Sequence, residues 1–313
     1  MYTKRLFRRL VRSLYWRMQN LLAEDKEKEV ESQDIPFDNR YDWLKASFQK
    51  LNNNLPVTVR RPNFVWGVLQ GAALGKVLGL ERISVIEFGV AGGAGLIALE
   101  HTAERVEEML QIGIDVYGFD TGCGLPKPQD YRDSPNIWMG EGQFPMDKEQ
   151  LAKRLRRASL QLGLVKTTVP AFLSSAPAPV AFVSIDLDLY SSTRDALRLF
   201  TAEHDRLLPR VLCYFDDLMG LTYSDYNGER LAIAEFNTLH AMRKISPLYG
   251  LKYFVPPAYI NNQWPELFYF LHIFDHPLYN EPDEVRKPLI MDVEGKVREY
   301  RPMTIRGRTR KIN

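Results

Sequence analysis

The stretch Val85-Ile86-Glu87-Phe88-Gly89-Val90-Ala91-Gly92-Gly93-Ala94-Gly95 constrains the fold more than any other part of this chain. An apolar run broken by one acid passes directly into a glycine-rich turn, and a helix-forming stretch follows as far as Leu110. Strand, tight turn and helix in immediate succession open a parallel β-α-β unit, and glycine at the turn lets the backbone approach a bound nucleotide-like ligand. Glu87 stands at the carboxyl end of that strand, where its charge favours a cationic ligand. Dinucleotide binders use a similar turn, and such turns also exist without a ligand, so by itself the motif leaves the cofactor open.

The rest of the chain continues the alternation. Helical spacing is expected over Phe64–Leu78, Ala94–Leu110, Lys148–Leu162, Ser192–His204 and Arg230–Ile245. Apolar strands are expected over Ile83–Val90, Val116–Asp120, Val165–Val169, Val180–Asp186 and Val211–Asp216. Two further β-prone runs, Tyr253–Val255 and Leu267–Phe274, are joined by a connection too short for a helical crossover and suited to an antiparallel pair. The expected fold class is therefore α/β: a Rossmann-like, seven-stranded, mostly parallel sheet with an antiparallel final strand, plus an N-terminal helical extension. Three regions follow: residues 1–61 as helical extension and linker, 62–280 as the α/β domain, and 281–313 as a basic tail.

Composition narrows the function classes. A formal net charge of +2 over 313 residues excludes nucleic acid as the expected main partner. No apolar run reaches the ~20 residues of a membrane span, and the N-terminus lacks the pattern of a secretory signal, so a cytoplasmic protein is expected. Its two cysteines, Cys123 and Cys213, have no metal-type spacing. Lys4, Arg5, Arg8, Arg9, Arg12 and Arg17 sit among Leu6, Leu10, Leu14, Tyr15, Met18, Leu21 and Leu22 at helical spacing. That basic helix either rests peripherally on an anionic membrane or packs on the body or on a second copy in a homo-oligomer; the packed reading is preferred.

Acidic residues close three strands. Asp120 ends the second, 31 residues after Gly89, where an acid can accept from ribose hydroxyls. Asp186 and Asp188 follow the fourth strand, and Asp216-Asp217 follow the fifth. Carboxyl ends of neighbouring parallel strands open on one crevice, so Asp186, Asp216 and Asp217 can converge there. Converging carboxylates repel unless a cation lies among them, and a hard, oxygen-preferring ion such as magnesium meets that need. Asp188 and Asp217 have the alternative of capping the helices that follow.

Taken together, Val85–Gly95, Tyr117–Pro126 (YGFDTGCGLP), Val183–Leu197 (VSIDLDLYSSTRDAL) and Tyr214–Leu218 (YFDDL) resemble the macrocin O-methyltransferase family of class I S-adenosylmethionine-dependent methyltransferases. The resemblance covers a core of about residues 83–218, less than half of the chain. It implies S-adenosylmethionine and Mg2+ as cofactors and a sugar or other polyhydroxylated small molecule or glycan as acceptor. By the same resemblance Glu87, Gly89, Gly93 and Asp120 bind the cofactor, Asp186, Asp216 and Asp217 hold the metal, and Asp186 doubles as catalytic base. The similar catechol methyltransferases carry a lysine just beyond the first metal-site Asp, whereas Leu189 stands here; a carboxylate or histidine base is expected instead. The segment 218–229 departs from the family's sugar-binding region, which leaves the acceptor open. Other readings of the chain are a catechol-like phenol acceptor, a dinucleotide-binding oxidoreductase, for which no hydride-transfer residues are recognisable, and a non-catalytic scaffold.

Overall fold

The computed structural model describes residues 40–133, 140–220, 222–279, 289–291 and 297–299. The expected basic N-terminal helix and most of the basic tail lie outside the described residues. In chain order the elements are α1 (Arg40–Asn54), α2 (Pro62–Val77), β1 (Arg82–Phe88), α3 (Ala94–Leu110), β2 (Gly113–Asp120), α4 (Lys148–Arg154), β3 (Ser159–Leu162) and α5 (Val165–Ser174). These are followed by β4 (Val180–Ile185), α6 (Tyr190–Ala196), β5 (Leu207–Phe215), α7 (Gly228–Leu239), β6 (Arg243–Pro247) and β7 (Phe268–Ile273). A separate two-stranded ribbon pairs β8 (Leu289–Met291) with β9 (Val297–Glu299).

The main sheet has seven strands in the order β3-β2-β1-β4-β5-β7-β6. β3, β2, β1, β4 and β5 run parallel, and β7 lies antiparallel between β5 and β6. This is the expected Rossmann-like, mostly parallel sheet with its antiparallel last strand. The chain leaves β1 in one direction and returns to pair β4 on its other side, so the ends of β1 and β4 form the switch point where such sheets bind ligands. Phe88 faces Ile185 in that register, which places Gly89 and Asp186 side by side.

Helix α2 lies close on the sheet because its inner face is glycine. A Cβ at Gly67 would stand 2.3 Å from the Phe182 ring, one at Gly71 3.0 Å from the Ala181 carbonyl, and one at Gly75 2.8 Å from the Ile83 side chain. Spacing of four residues repeats that stripe along one helical face. α1 joins the same core through Trp43, Leu44, Phe48 and Leu51. Phe48 meets Trp66, Tyr259 and Trp264 at ring separations of 5.7, 5.4 and 6.0 Å. Among the described residues, no helix is long and apolar enough to cross a membrane.

Four expected elements are corrected. The helix expected over Lys148–Leu162 stops at Arg154 because the buried Glu100 carboxylate collects the amides of Arg156, Arg157 and Ala158, and β3 follows. Val165–Val169 is the start of helix α5, not a strand; Val165, Val169 and Phe172 are its buried side at helical spacing. The helix expected to reach Ile245 stops at Leu239, and the edge strand β6 takes its end. Asn237 enforces that break by exchanging hydrogen bonds with the backbone of Ile245 at 2.7 and 2.8 Å. Residues 251–253 form a short 3-10 turn, so β6, rather than Tyr253–Val255, pairs with β7.

The glycine stripe makes a direct prediction. Gly67→Ala should destabilise the protein by about 1–3 kcal/mol through overpacking against a fully buried ring. Gly92→Ala, where an added Cβ meets nothing within 4 Å, should stay within about 0.5 kcal/mol. Urea denaturation compares the two, and equal midpoints would contradict the close approach of α2 to β4.

Candidate functional site

The turn after β1 is shaped by two left-handed glycines. Gly89 has φ 85°, and a Cβ there would lie 1.8 Å from the Asp186 carbonyl oxygen. Its amide donates to the Phe119 carbonyl at 2.9 Å, while the Asp186 amide donates to the Phe88 carbonyl at 2.9 Å. Gly93, with φ 86°, caps α3, and a Cβ there would strike Leu151. Gly95, in the first turn of α3, leaves room for an acid: a Cβ would stand 1.8 Å from Glu87 Oε1.

Glu87 is 5% exposed, and its Oε2 has no hydrogen-bond partner among the described residues. Burial drives its pKa well above the usual carboxylate range; Arg61 opposes that rise, while Asp186 and Asp120 add to it. Asp120 holds the turn from the other side. Its Oδ2 accepts from Val90 and Ala91 amides at 3.0 and 2.9 Å, and its Oδ1 accepts from Gly122 at 2.6 Å. A carboxylate offers about four acceptor positions. Three are taken, which leaves room for one ribose hydroxyl rather than the two expected.

The second half of the site is a carboxylate cluster at the ends of β4 and β5. Asp186, Asp188 and Asp217 each place a carboxylate oxygen within 4.8 Å of the other two. Asp216 stands beside them but outside this trio, with its Oδ1 accepting from the Tyr214 hydroxyl at 2.9 Å. Of the expected set, Asp186 and Asp217 belong to the trio, Asp188 takes the third place, and Asp216 lies beside it. Asp188 caps no helix; its φ is 59°, and its amide donates to Asp217 Oδ2 at 2.8 Å. Asp217 Oδ1 accepts from the Tyr223 hydroxyl at 3.0 Å.

Asp186 is open to the cleft but walled by protein. Burial, then the charges of Asp217, Asp216 and Asp188, push its pKa up to about 8, against a weaker opposing pull from Arg61. Burial raises Asp188 and Asp217 as well; the amide of Asp188 and the hydroxyl of Tyr223 moderate the rise at Asp217. Below the cluster, Glu229 is fully buried at the start of α7 and accepts from the Asp217 amide at 3.1 Å with Oε2. Its Oε1 is unpartnered among the described residues, and burial followed by the Asp217 charge raises its pKa strongly.

One cavity of about 370 Å³ joins both halves, lined by Gly89, Asp120, Leu164, Asp186, Asp188 and Asp217 among others. Asp216 and Asp217 also border a wider bay of about 630 Å³. None of the five histidines lines either space, which leaves a carboxylate as the available base. The residues present fit both implied groups. The orphaned, buried Glu87 oxygen suits an ammonium donor. Ligand oxygens around Mg2+ at ~2.1 Å lie ~3.0 Å apart when cis and ~4.2 Å apart when trans, so the acidic trio, within 4.8 Å of one another, would draw together around an ion.

Asp188, Glu229, Arg61 and Tyr223 were not singled out as site residues from sequence. Asp188 was legible as the second acid of Asp-Leu-Asp. Glu229 and Tyr223 lie in the segment that departs from the family pattern, and Arg61 precedes the motif region altogether.

No protein-family model matches this chain, and no curated protein does. Among solved structures, the calicheamicin methyltransferase CalS11 is 22% identical with a TM-score of 0.46, over 80% of this chain and 94% of that one. The O-methyltransferase NovP is 14% identical with a TM-score of 0.47, over 68% and 80%. An O-methyltransferase from Bacillus cereus is 15% identical with a TM-score of 0.36, over 76% and 92%.

A group with a raised acid pKa keeps a proton in the folded state that the unfolded chain has released. Stability from Asp186 is therefore complete below about pH 3.8 and is lost as pH rises through about 8. In chelator, the apparent Tm should fall between pH 5 and pH 8.5. Mg2+ should raise it by about 5 °C or more at pH 8, and by less at pH 5, where protons compete for the same oxygens. Differential scanning calorimetry reads both, and an Mg2+ response independent of pH would count against the cluster as a cation site.

Proposed function

We propose that this protein is an S-adenosylmethionine-dependent, divalent-metal-assisted O-methyltransferase acting on a sugar or other polyhydroxylated acceptor. The observation that carries the reading is the single cavity running from Gly89 of the glycine turn and Asp120 to Asp186, Asp188 and Asp217, with the buried Glu87 behind the turn. Glu87 takes the ammonium of the methyl donor, and Asp120 takes one ribose hydroxyl beside the turn amides that it already orders. Asp186, Asp188 and Asp217 would hold the cation, with Asp216 at their edge. A divalent ion there supplies the positive charge that makes an acceptor hydroxyl more acidic.

Asp186 faces the cavity with a raised affinity for protons and is placed to accept the hydroxyl proton. The acceptor oxygen forms its bond to the methyl carbon as the carbon–sulfur bond breaks, and the electron pair returns to sulfur. Glu229 and Tyr223 hold Asp217 from behind, so that its carboxylate stays aimed at the cavity.

Calorimetry separates this reading from the oxidoreductase and the scaffold. S-adenosylmethionine should bind and NAD should not. Glu87→Gln keeps the side-chain shape but removes the charge and should weaken that binding about 10- to 100-fold. NAD binding, or an unchanged affinity in Glu87→Gln, would overturn the cofactor assignment. With a chelator, methyl transfer should stop and return with Mg2+, and Asp217→Asn should lose the Mg2+ response.

A further inference from the structure

The wider bay beside the cluster has a chemistry of its own. Its rim carries the consecutive amides of Asn261, Asn262 and Gln263, all exposed, together with Asp216, Asp217 and Trp264. Carboxamides donate and accept through the same group, which suits neighbouring hydroxyls on a ring. Trp264 is 8% exposed, lines the bay, and its indole N–H has no acceptor among the described residues.

The amide run is held in place. Tyr259 accepts from Asn52 Nδ2 at 2.6 Å, fastening the loop to α1, and the Asn262 amide donates to the Tyr259 carbonyl at 3.0 Å. The Trp264 ring packs against Tyr259 and Phe268 at 6.0 and 5.8 Å. Such a rim meets a ligand in a preformed shape.

Charge decides which ligand. Among the described residues no Lys or Arg lines the bay. Lys252 pairs with Glu266 at 3.0 Å, Arg230 donates to the Leu218 carbonyl at 2.8 Å and meets Asp225 at 3.4 Å, and Arg61, whose charge is felt at Asp186 and Glu87, does not line the bay. A divalent ion would offset only part of the formal charge of Asp186, Asp188, Asp216 and Asp217. The bay therefore stays electronegative, and a second anion entering it is repelled.

Resting on the methyltransferase reading, we infer that this bay is the acceptor subsite and takes an uncharged polyhydroxylated ring, a glycoside without phosphate, in preference to the same sugar carried on a nucleoside diphosphate. Asn261, Asn262 and Gln263 set that preference by offering hydrogen bonds with no positive charge.

The test uses the full chain with S-adenosylmethionine and Mg2+, and reads labelled methyl incorporation. The acceptors are the methyl glycosides of glucose, galactose, rhamnose and fucose, each beside its nucleoside diphosphate form. The neutral glycoside should be used with kcat/KM at least about 10-fold higher than its charged counterpart. Gln263→Lys, at an exposed position, should narrow that ratio by roughly 5-fold or more by adding a cation. Asn262→Ala should raise the acceptor KM about 5-fold while the affinity for S-adenosylmethionine in calorimetry is held. Equal or better use of the diphosphate sugars, or a ratio unmoved by Gln263→Lys, would overturn the inference. Methylation of catechols with no sugar used would overturn it while leaving methyl transfer standing. Failure to bind S-adenosylmethionine would remove the underlying reading and this inference with it.

Discussion

The approach of Gly89 to the backbone of Asp186 is the contact on which the rest of the site depends. Any side chain at Gly89 would occupy the position of the Asp186 carbonyl, and its φ of 85° is one that an L-residue rarely adopts. Because β1 and β4 are neighbours at the switch point, this contact fuses two pieces of chemistry into one cavity. The glycine turn with Glu87 and Asp120 belongs to β1 and β2; the acidic cluster belongs to β4 and β5. A separation of even a few ångströms at Gly89 would leave an ammonium site and a cation site that could not serve one reaction.

The same closeness creates an electrostatic problem. Asp186, Asp188 and Asp217 at two strand ends, with Glu87 and Glu229 buried beside them, hold their protons more tightly than free carboxyls, through burial first and neighbouring negative charge second. Hydrogen bonds from the Asp188 amide, Tyr214 and Tyr223 relieve part of it, and Arg61 supplies a distant positive charge. None of these is an ion pair with the trio. The protein retains a concentration of negative charge that costs stability at neutral pH, a pattern more usual at sites where a cation is bound than in cores built for stability.

Much of the glycine-turn half of the cavity was legible in the sequence because it is local. Glycine, acid and apolar strand follow one another within Val85–Gly95, and α3 runs over the expected Ala94–Leu110. The acidic strand ends were legible for a similar reason, since a buried strand announces its own carboxyl end. What was not legible depended on partners far along the chain. Nothing near Lys148–Leu162 signals that Glu100 will claim three of its amides, and β6 has a single buried residue, Ile245, to mark it as a strand. The five-residue run Val165–Val169 was too short to separate a helix from a strand; extending the window to Phe172 reveals the helical period. Asp188 was weighed as a cap because the following helix needs one, but the buried Asp133 supplies it by accepting from the Ser191 amide at 2.6 Å.

The bay proposed for the acceptor is assembled on a different principle. Its amide rim sits on a loop between β6 and β7, outside the parallel strands, and is braced by α1 through the Asn52–Tyr259 bond and the Phe48–Trp264 packing. These contacts join residues some two hundred positions apart, so no local pattern reveals them. The pocket proposed for the methyl donor, by contrast, depends on backbone geometry that tolerates almost no change at Gly89 or Gly93. On the proposed reading, substitution on the loop alters acceptor binding without touching the turn, whereas substitution in the turn disturbs both. A rigid sheet edge and a braced loop therefore leave one half of the proposed site open to change while the other is fixed by backbone geometry.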